Sequence, residues 1–314
     1  MKRHCDVEQL VKDLKNFSLN TFSLRGLTSE ACYNVLACQI IDSVRRIRYV
    51  EKINSQTLYM SPLRKEPNSF LFDPLRAACL YLKDNNYDEA CWLTFLATHF
   101  GKSKKTGWNL CRDIYSGLGT KTWTWTAITN DFNCFEQWFA GVTDELTANS
   151  SQRQYGNHRK YESLKYYSRR SVPAVFRSYV NFVGATCSHE ARFAEARDFA
   201  PSSSELFERL YSEMNAVISF GRTARFDYLT MLRKIGALDA EPGHAFLKGA
   251  TGPLQGSRLL FNNSHGAGEK IDVLNEKLSA LAEIIPTQYL KMQVIEDALC
   301  NWQKSPDRYV YFGG

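Results

Sequence analysis

Apolar residues recur at intervals of three and four positions along most of the chain, which places them on one face of an α-helix. Strands would instead show alternating runs of β-branched residues joined by Asn-Gly or Asp-Gly turns, and the sequence contains no such series. We therefore predict an all-α fold. The predicted helices include residues 28–49, 75–82, 105–115, 173–183, 190–199, 205–218, 222–235, 269–281 and 289–302.

Helix start signals occur where the apolar spacing begins. Asp73 precedes a proline, the pattern of an N-cap with proline at the first helical position. Asn86 and Glu89 have the spacing of a capping box before an apolar helix that ends near His99. Ser202 is one of two N-cap candidates for the predicted helix 205–218.

One segment, residues 148–171, departs from this composition because it is polar and basic. A polar stretch between periodic segments is typical of a connection. We predict two helical lobes, residues 1–147 and 172–314, with residues 148–171 crossing between them.

The composition fits a folded globular protein and excludes several classes. The 314 residues are 44% hydrophobic and 23% charged, and this length is sufficient to bury a core. The apolar runs fall far short of the roughly 20 residues that a membrane-spanning helix needs, and no secretory signal is expected. Nine cysteines form no C-x-x-C pair, which predicts reduced thiols and no metal site. We expect a cytoplasmic protein without membrane contact.

The highest density of positive charge lies in residues 151–180, where seven Lys and Arg residues accompany a single Glu and tyrosines are interleaved. Cations combined with stackable rings suit a nucleotide, since charge binds phosphate and ring faces stack on bases. Arginine offers a planar fork, lysine a point charge and histidine a proton near neutral pH. The candidate residues are Asn157, His158, Arg159, Lys160 and Tyr161. The alternative is a solvated loop.

Two smaller clusters are also candidates for phosphate or substrate binding. His99 ends an apolar helix just before a lysine-rich turn, and its ring is either a buried core histidine or a site residue. Arg222, Arg225 and Asp227 lie at one predicted helix start. Arg225 and Asp227 are candidates for a structural ion pair, whereas Arg222 is electrostatically unfavourable there unless it faces an anion.

The glycine-rich stretch 245–261 resembles the helix-hairpin-helix of the DNA glycosylase superfamily, with one extra residue between the glycines. A short predicted helix ends at the glycines and a second begins at Pro253. Glycines allow a tight turn whose N–H groups face a DNA phosphate. The candidate DNA contacts are Lys248, Gly249, Thr251, Gly252 and Arg258. The alternative is an ordinary interhelical turn.

The resemblance extends to an aspartate downstream of this turn. In the glycosylase superfamily a catalytic aspartate follows the hairpin, and Asp272 follows Leu247 at nearly the corresponding distance. Leu254 or Pro253 occupies the place of the lysine that serves as a Schiff-base nucleophile in lyase-type members. The alternative for Asp272 is a first-turn aspartate that interacts with the helix dipole. No cofactor is expected, although hairpins of this kind hold a monovalent cation through backbone carbonyls.

Four segments together are similar to the α-glutamyl/putrescinyl thymine pyrophosphorylase family, clade 3. They are W-L-T-F-L-A-T-H-F-G-K with G-W-N-L-C-R-D-I-Y-S-G-L-G (92–119), G-N-H-R-K-Y-E-S-L (156–164), G-R-T-A-R-F-D-Y-L with A-T-G-P-L-Q-G-S-R-L-L-F (221–261) and M-Q-V-I-E-D-A-L-C-N-W-Q-K-S-P (292–306). The resemblance implies a two-lobed helical fold like that of DNA glycosylases, used for thymine hypermodification in bacteria or phage-infected cells.

The implied substrate is duplex DNA in which 5-hydroxymethyluracil carries phosphate or pyrophosphate. The phosphate leaves, and an amino acid or a polyamine is attached to the exocyclic methylene. Asp272, His158, Arg159 and Lys160 are then the candidate catalytic residues. Two alternatives stay open at this point, a monofunctional DNA glycosylase acting on a modified thymine and a non-catalytic DNA-binding module.

Overall fold

Helices form almost all of the regular structure of this chain. The computed structural model describes residues 2–156 and 162–312, and 62% of the chain is helical. These residues form no strand, and their strand-like pairing is limited to isolated bridges, Ser103 with Gly107 and Ser163 with Ser171. The predicted all-α fold is confirmed.

Fourteen α-helices occur in the described residues. They are α1 (Lys2–Asn20), α2 (Glu30–Ser55), α3 (Pro74–Lys83), α4 (Tyr87–Phe100), α5 (Asn109–Tyr115), α6 (Trp125–Asn130), α7 (Phe132–Ala148), α8 (Val172–Val183), α9 (His189–Asp198), α10 (Ser203–Glu213), α11 (Arg222–Lys234), α12 (Gly252–Asn262), α13 (Ile271–Ala282) and α14 (Lys291–Trp302). Short 3-10 helices lie at Thr57–Tyr59, Pro62–Arg64, Gly117–Gly119 and Met214–Ala216.

The chain forms two compact units. The first unit combines both ends of the chain, Met1–Tyr49 and Glu241–Gly314, and the second is Val50–Ala240. The predicted lobe boundaries at residues 147 and 172 both lie inside the second unit, so the basic segment belongs to that unit. The reason is a set of hydrogen bonds within the unit, including one from the Gly156 amide to the Phe100 carbonyl oxygen at 2.7 Å.

Helix α12 lies at the centre of the first unit, and glycines allow its close packing. The Gly26 amide donates to the Leu260 carbonyl oxygen at 2.9 Å. A Cβ on Gly256 would lie 2.5 Å from the Leu299 carbonyl oxygen, and one on Gly252 would lie 2.6 Å from the Cys300 Sγ. Both glycines therefore let the α12 backbone approach α14 more closely than any side chain would permit.

Helix α4 is the central helix of the second unit. All fourteen of its residues are buried or half-buried, and Trp92, Phe95 and His99 are completely buried. It packs against α3, α5, α6, α9 and α11. A helix that is apolar on every side is stable only inside a core, and this position brings its C-terminal end to the candidate site described below.

The predicted helix starts are largely confirmed. The Asp73 and Asn86 side chains cap α3 and α4, and Ser202 forms a complete capping box with Glu205 at the start of α10. At α4 only half of the predicted box exists, because the Glu89 carboxylate turns into the core. There it accepts hydrogen bonds from the Tyr115 hydroxyl at 2.6 Å and the Trp125 amide at 2.7 Å.

The predicted helix before the glycine-rich turn is not formed. Residues 241–251 contain no helix, and the next helix begins only at Gly252. Phe246 and Gly249 both adopt positive φ, at 48° and 74°, which interrupts any helical hydrogen-bond ladder there. The prediction of a first hairpin helix ending at the glycines was therefore wrong.

Among the residues described above, none of the helices has both the length and the apolar character needed to cross a bilayer.

Candidate functional site

Six aromatic rings surround the C-terminal end of α4 in the second unit. We call them the His99 cluster: His99, Phe95, Phe100, Tyr155, Phe176 and Phe220. The His99 ring lies parallel to Phe95 with centroids 6.0 Å apart, nearly parallel to Phe220 at 6.4 Å, and edge-on to Tyr155 at 5.9 Å. His99 is completely buried. The structure thus gives this residue the core position that was one of its two alternatives, and its role as a substrate contact stays a prediction.

A glycine-to-glycine contact fixes the start of the basic segment against α4. The Gly156 amide donates to the Phe100 carbonyl oxygen at 2.7 Å. A Cβ on Gly156 would lie 2.9 Å from the Gly101 Cα, closer than real Cβ atoms approach. Gly101 itself has a φ of 65°, a conformation that favours glycine. The backbone just before Asn157 therefore lies directly beside His99.

The far end of the basic segment is also held within the second unit. Ser163 and Ser171 form a bridge, and the Thr143 hydroxyl donates to the Leu164 carbonyl oxygen at 2.6 Å. The five candidates between these tethered ends, Asn157, His158, Arg159, Lys160 and Tyr161, lie outside the described residues. What the structure establishes is that both flanks of this basic stretch are bound to the same unit.

The start of α11 approaches the same cluster. Phe220 stacks on Phe95 with centroids 4.8 Å apart, and Gly221 and Arg222 follow it directly. Gly221 provides no capping side chain for the helix. The guanidinium carbon of Arg222 lies 5.5 Å from the Phe226 ring centroid. Arg222 thus lies in the first turn of a helix that begins beside His99.

Arg225 and Asp227 have different surroundings from Arg222. The Arg225 Nη1 donates to the Tyr211 carbonyl oxygen at 2.9 Å, and its guanidinium carbon lies 4.3 Å from the Tyr211 ring centroid. Arg225 thereby holds α11 against the end of α10, which is a structural contact. Asp227 is half-buried on α11.

Exposed cations extend the positive surface on both sides of the tethered segment. Lys102 and Lys105 lie in the turn after α4, which the Ser103 hydroxyl stabilises by accepting from the Lys105 and Thr106 amides. Lys165, Arg169 and Arg170 are exposed beyond its far end, as is Tyr167. Arg153 is different, because its Nε donates to Asp113 at 2.8 Å inside the unit. The exposed residues give this face the combination of charge and rings that suits nucleic acid.

A buried chain of hydrogen bonds lies behind the cluster, and the sequence analysis did not predict it. The His189 Nδ1 and the Asp88 carboxylate are 2.8 Å apart, the His189 Nε2 and the Tyr179 hydroxyl 2.7 Å, and the Tyr179 and Tyr228 hydroxyls 2.6 Å. Tyr179 also stacks on Phe95 with ring centroids 3.7 Å apart. Asp88 and His189 are 101 positions apart in the chain, so no local pattern could have paired them.

Burial and hydrogen bonding determine the protonation of the two titratable groups in this row of hydrogen bonds, His189 and Asp88. It lowers the pKa of His189, although hydrogen bonding and charge from Asp88 act in the opposite direction. Burial also opposes ionisation of Asp88, but hydrogen bonds from His189 outweigh it and leave the pKa of that carboxyl below its usual range. A neutral ring next to a carboxylate donates through Nδ1 and accepts at Nε2. The direction of donation is therefore Tyr228 to Tyr179 to His189 to Asp88.

The residues of the glycine-rich turn lie in the first unit. Lys248, Gly249 and Thr251 are exposed before α12, and Arg258 is half-buried on it. Gly252 instead faces Cys300, which gives it a packing role. The first helix expected for a helix-hairpin-helix is absent from residues 241–251. The monovalent cation expected at the hairpin stays a prediction.

Asp272 also lies in the first unit, in the first turn of α13. It is exposed. An aspartate in the first turn interacts favourably with the helix dipole, so this position fits the structural alternative as well as the catalytic one. Among the residues that the structure describes, no group of three or more His, Cys, Asp or Glu side chains is arranged to hold a metal ion.

Comparison with known proteins decides the family. The sequence model described as alpha-glutamyl/putrescinyl thymine pyrophosphorylase clade 3 matches residues 31–314. The chain belongs to this family. Searches of curated proteins and of solved structures each returned no match.

In this member of the pyrophosphorylase family, the motif segments contact one another within each unit. In the second unit, segment 92–119 meets the start of segment 156–164 through Phe100 and Gly156, and its His99 contacts Phe220, the residue directly before segment 221–261. In the first unit, α12 from segment 221–261 packs on α14 from segment 292–306. Sequence segments that are distant along the chain therefore converge locally in both units.

Proposed function

We propose that this protein is a DNA base-modifying transferase. It displaces phosphate or pyrophosphate from phosphorylated 5-hydroxymethyluracil in DNA and attaches an amino acid or a polyamine. Membership of the thymine pyrophosphorylase family supports the substrate class. The observation that carries the proposal is the convergence at His99, where the start of the basic segment and the start of α11 contact the same buried ring cluster.

This convergence suits the binding of a phosphorylated base. Within the basic segment the Gly156 amide is bound to the end of α4, and Arg222 begins a helix beside the same cluster. A helix N-terminus and neighbouring cations both favour an anion. The rigid aromatic core behind them fixes these backbone positions, and preorganised groups stabilise developing charge without a reorganisation cost.

The proposed reaction is a substitution at the exocyclic methylene carbon. The lone pair of the amine nitrogen forms the new C–N bond, and the C–O bond to the phosphate breaks. The electron pair of that bond leaves with the phosphate oxygen, and the amine nitrogen loses one proton. No atom changes its net oxidation level through an external partner, so the reaction requires no redox cofactor.

Each of the four candidate catalytic residues has a role in this reaction. Arg159 and Lys160, with Arg222, stabilise the charge on the departing phosphate oxygens. His158 protonates the leaving group or deprotonates the incoming amine. Asp272 holds the amine or accepts its proton.

The modified base must leave the DNA stack to be reached. Tyr155 packs against Phe100 with ring centroids 5.7 Å apart, so it belongs to the core rather than to a stacking surface. Tyr166 and Tyr167 are exposed on the same segment and are suited to stacking on bases. The exposed cations at residues 102–105 and 165–170 would bind the DNA backbone.

The test uses substitutions at two of the proposed catalytic positions. Asp272→Asn and Arg159→Ala should each fold like the wild type and lower the release of pyrophosphate by about 100-fold. Release is measured with duplex DNA carrying pyrophosphorylated 5-hydroxymethyluracil and a mixture of amino acids and polyamines. Glu276→Gln, on the exposed side of α13, and Arg197→Ala, exposed on α9, are the matched controls.

Three outcomes separate the proposal from its alternatives. Release that requires both DNA and an amine, and that is lost in either variant, supports the transferase. Free modified base together with abasic DNA would identify a glycosylase instead. DNA binding that is unaffected by Asp272→Asn, with neither product formed, would identify a binding module, and full activity in both variants would overturn the site assignment.

A further inference from the structure

Lys121 and Cys134 bring an amine and a thiol into contact on the surface of the second unit. The Lys121 Nζ donates to the Cys134 Sγ at 3.5 Å. Lys121 is exposed and Cys134 is half-buried, so small solutes reach this contact. Neither residue belongs to the candidate site described above, and neither has a role in the proposed reaction.

The surroundings of Lys121 keep its amine beside the sulfur. The Lys121 Nζ lies 4.7 Å from the Trp123 ring centroid, a cation–π contact. Trp123 is buried and well anchored, because its amide donates to the Tyr115 carbonyl oxygen at 2.8 Å and its own carbonyl oxygen accepts from the Trp92 Nε1 at 3.0 Å. Among the residues that the structure describes, no carboxylate forms an ion pair with Lys121. The thiol therefore has no carboxylate competing for this amine.

The start of α7 fixes the position of Cys134. The Asp131 carboxylate caps this helix by accepting from the Cys134 amide at 3.0 Å, which places the thiol in the first helical turn. Oxidation of cysteines is site-selective, and it favours accessible thiols in electropositive surroundings. Cys134 combines an accessible position with a lysine in direct contact.

The other thiols of the second unit lack this arrangement. Cys79, Cys91 and Cys111 are buried, and burial raises the pKa of each thiol above its usual range, which makes them unreactive. Cys187 is half-buried like Cys134, but its Sγ contacts a backbone carbonyl oxygen instead of a cation. Cys187 is therefore the matched comparison for Cys134.

We propose that hydrogen peroxide links Cys134 to Lys121 through a sulfenamide, a covalent S–N bond. The Cys134 sulfur attacks one peroxide oxygen, the O–O bond breaks and water leaves, so the sulfur is oxidised to a sulfenic acid and the peroxide is reduced. The Lys121 amine, after losing one proton to solvent, forms the S–N bond as the S–O bond breaks. The hydroxyl group leaves as water with a proton from the nitrogen, and a thiol reductant reverses the link.

The cross-link joins two parts of the unit that hold the basic segment. Lys121 follows α5, on which Asp113 accepts from the Arg153 Nε at 2.8 Å. Cys134 lies on α7, on which the Thr143 hydroxyl donates to a carbonyl oxygen of the far flank at 2.6 Å. A covalent link between them restricts the chain in the same way as a disulfide. Peroxide thus stiffens the frame of the basic segment reversibly, whether or not the protein is a transferase.

Peptide mapping of the full chain tests the cross-link. The protein is reduced, freed of reductant, treated with equimolar hydrogen peroxide and digested with trypsin, which does not cleave after a lysine whose amine is bonded to sulfur. A peptide that spans Lys121 and Cys134 should appear with a mass about 2 Da below that of the unmodified, uncleaved peptide. Dithiothreitol should restore both the mass and the cleavage after Lys121.

Three variants locate the cross-link. Lys121→Arg keeps the positive charge but removes the amine, and Cys134→Ser removes the thiol. Each should lower the yield of linked peptide at least about tenfold. Cys187→Ser should leave the yield unchanged. Thermal unfolding curves like that of the wild type show that each variant has folded.

Three results would overturn the proposal. Undiminished cleavage after Lys121, with Cys134 recovered as a thiol or a sulfinic acid, would show that no link forms. A gain of about 14 Da would mean that an oxygen atom separates sulfur and nitrogen, so that the S–N bond is wrong. Equal yields in Lys121→Arg and the wild type would assign the mass change to another nucleophile.

Discussion

Glu89 is a carboxyl group enclosed in the core of the second unit. Burial raises its pKa from the usual 4.5 to about 7, although hydrogen bonds from Tyr115 and Trp125 act in the opposite direction. A carboxyl whose pKa is raised by folding favours the folded state only while it is protonated. Its contribution is complete below pH 4.5 and is lost as the pH rises towards 7, which amounts to about 3 kcal/mol.

Glu89→Gln should remove this pH dependence. The amide keeps the shape of the protonated carboxyl: its oxygen accepts from the Trp125 amide and its NH2 group donates to the Tyr115 hydroxyl oxygen, but it has no charged form to bury. We expect the variant to be more stable than the wild type above pH 7, by up to about 3 kcal/mol, and similar to it below pH 4.5. Urea unfolding between pH 4 and 8 measures the difference, with the exposed Glu190→Gln as the control. Parallel pH profiles for wild type and Glu89→Gln would contradict the argument.

Gly156 attaches the basic segment to α4 through its backbone. Its Cβ would lie 2.9 Å from the Gly101 Cα, so Gly156→Ala must displace one backbone from the other. We expect a loss of about 1 to 3 kcal/mol in unfolding free energy, together with a loss of pyrophosphate release. Gly141→Ala is the matched control, because a Cβ there meets open space in the middle of α7 and should stabilise the helix by up to about 1 kcal/mol. Unchanged stability in Gly156→Ala would show that the contact does not constrain the segment.

At the scale of elements, the hydrogen-bond chain from Tyr228 to Asp88 joins α11, α8, α9 and α4. Tyr179 is its central member, because it accepts from Tyr228 and donates to His189. Removing the Tyr179 hydroxyl leaves two buried groups unpaired, whereas removing the Tyr228 hydroxyl leaves Tyr179 still bound to His189. The chain therefore predicts unequal effects for two chemically identical substitutions.

Tyr179→Phe should destabilise the protein more than Tyr228→Phe. Each buried polar group without a partner costs about 1 to 3 kcal/mol, so the difference between the variants should be at least about 1 kcal/mol. Chemical denaturation with equal m-values for both proteins provides the comparison. If Tyr228→Phe were the more destabilising, Tyr179 would not be the central member of this hydrogen-bond chain.

Local signals in the sequence predicted individual helices well. The caps at Asp73 and Ser202 depend only on neighbouring residues and were correctly placed. Helix α7 was not predicted, because its buried residues Phe135, Phe139 and Leu146 are few and Gly141 weakens the helical pattern. The helix expected before Pro253 does not form, although the apolar residues there have helical spacing. Phe246 adopts a positive φ, which interrupts a helix.

At the scale of the whole molecule, the sequence did not predict which distant segments contact each other. Both ends of the chain, Met1–Tyr49 and Glu241–Gly314, form one unit. The spacing of apolar residues does not reveal this arrangement, because a chain divided in the middle would show the same helical periodicity. For the candidate site, the sequence identified His99, the basic segment and Arg222 as separate clusters, and the structure adds that their flanks meet. It also places Asp272 and the glycine-rich turn in the first unit.

The proposed function is the modification of thymine in DNA by this chain. Nucleoside mass spectrometry tests it directly, after incubation of the wild-type protein with duplex DNA carrying phosphorylated or pyrophosphorylated 5-hydroxymethyluracil and a mixture of amino acids and polyamines. A transferase yields a new nucleoside in which an amine has replaced the phosphate on the exocyclic methylene, and its mass identifies the donor. Recovery of only the phosphorylated nucleoside under conditions where the DNA is bound, or release of the free base, would contradict it.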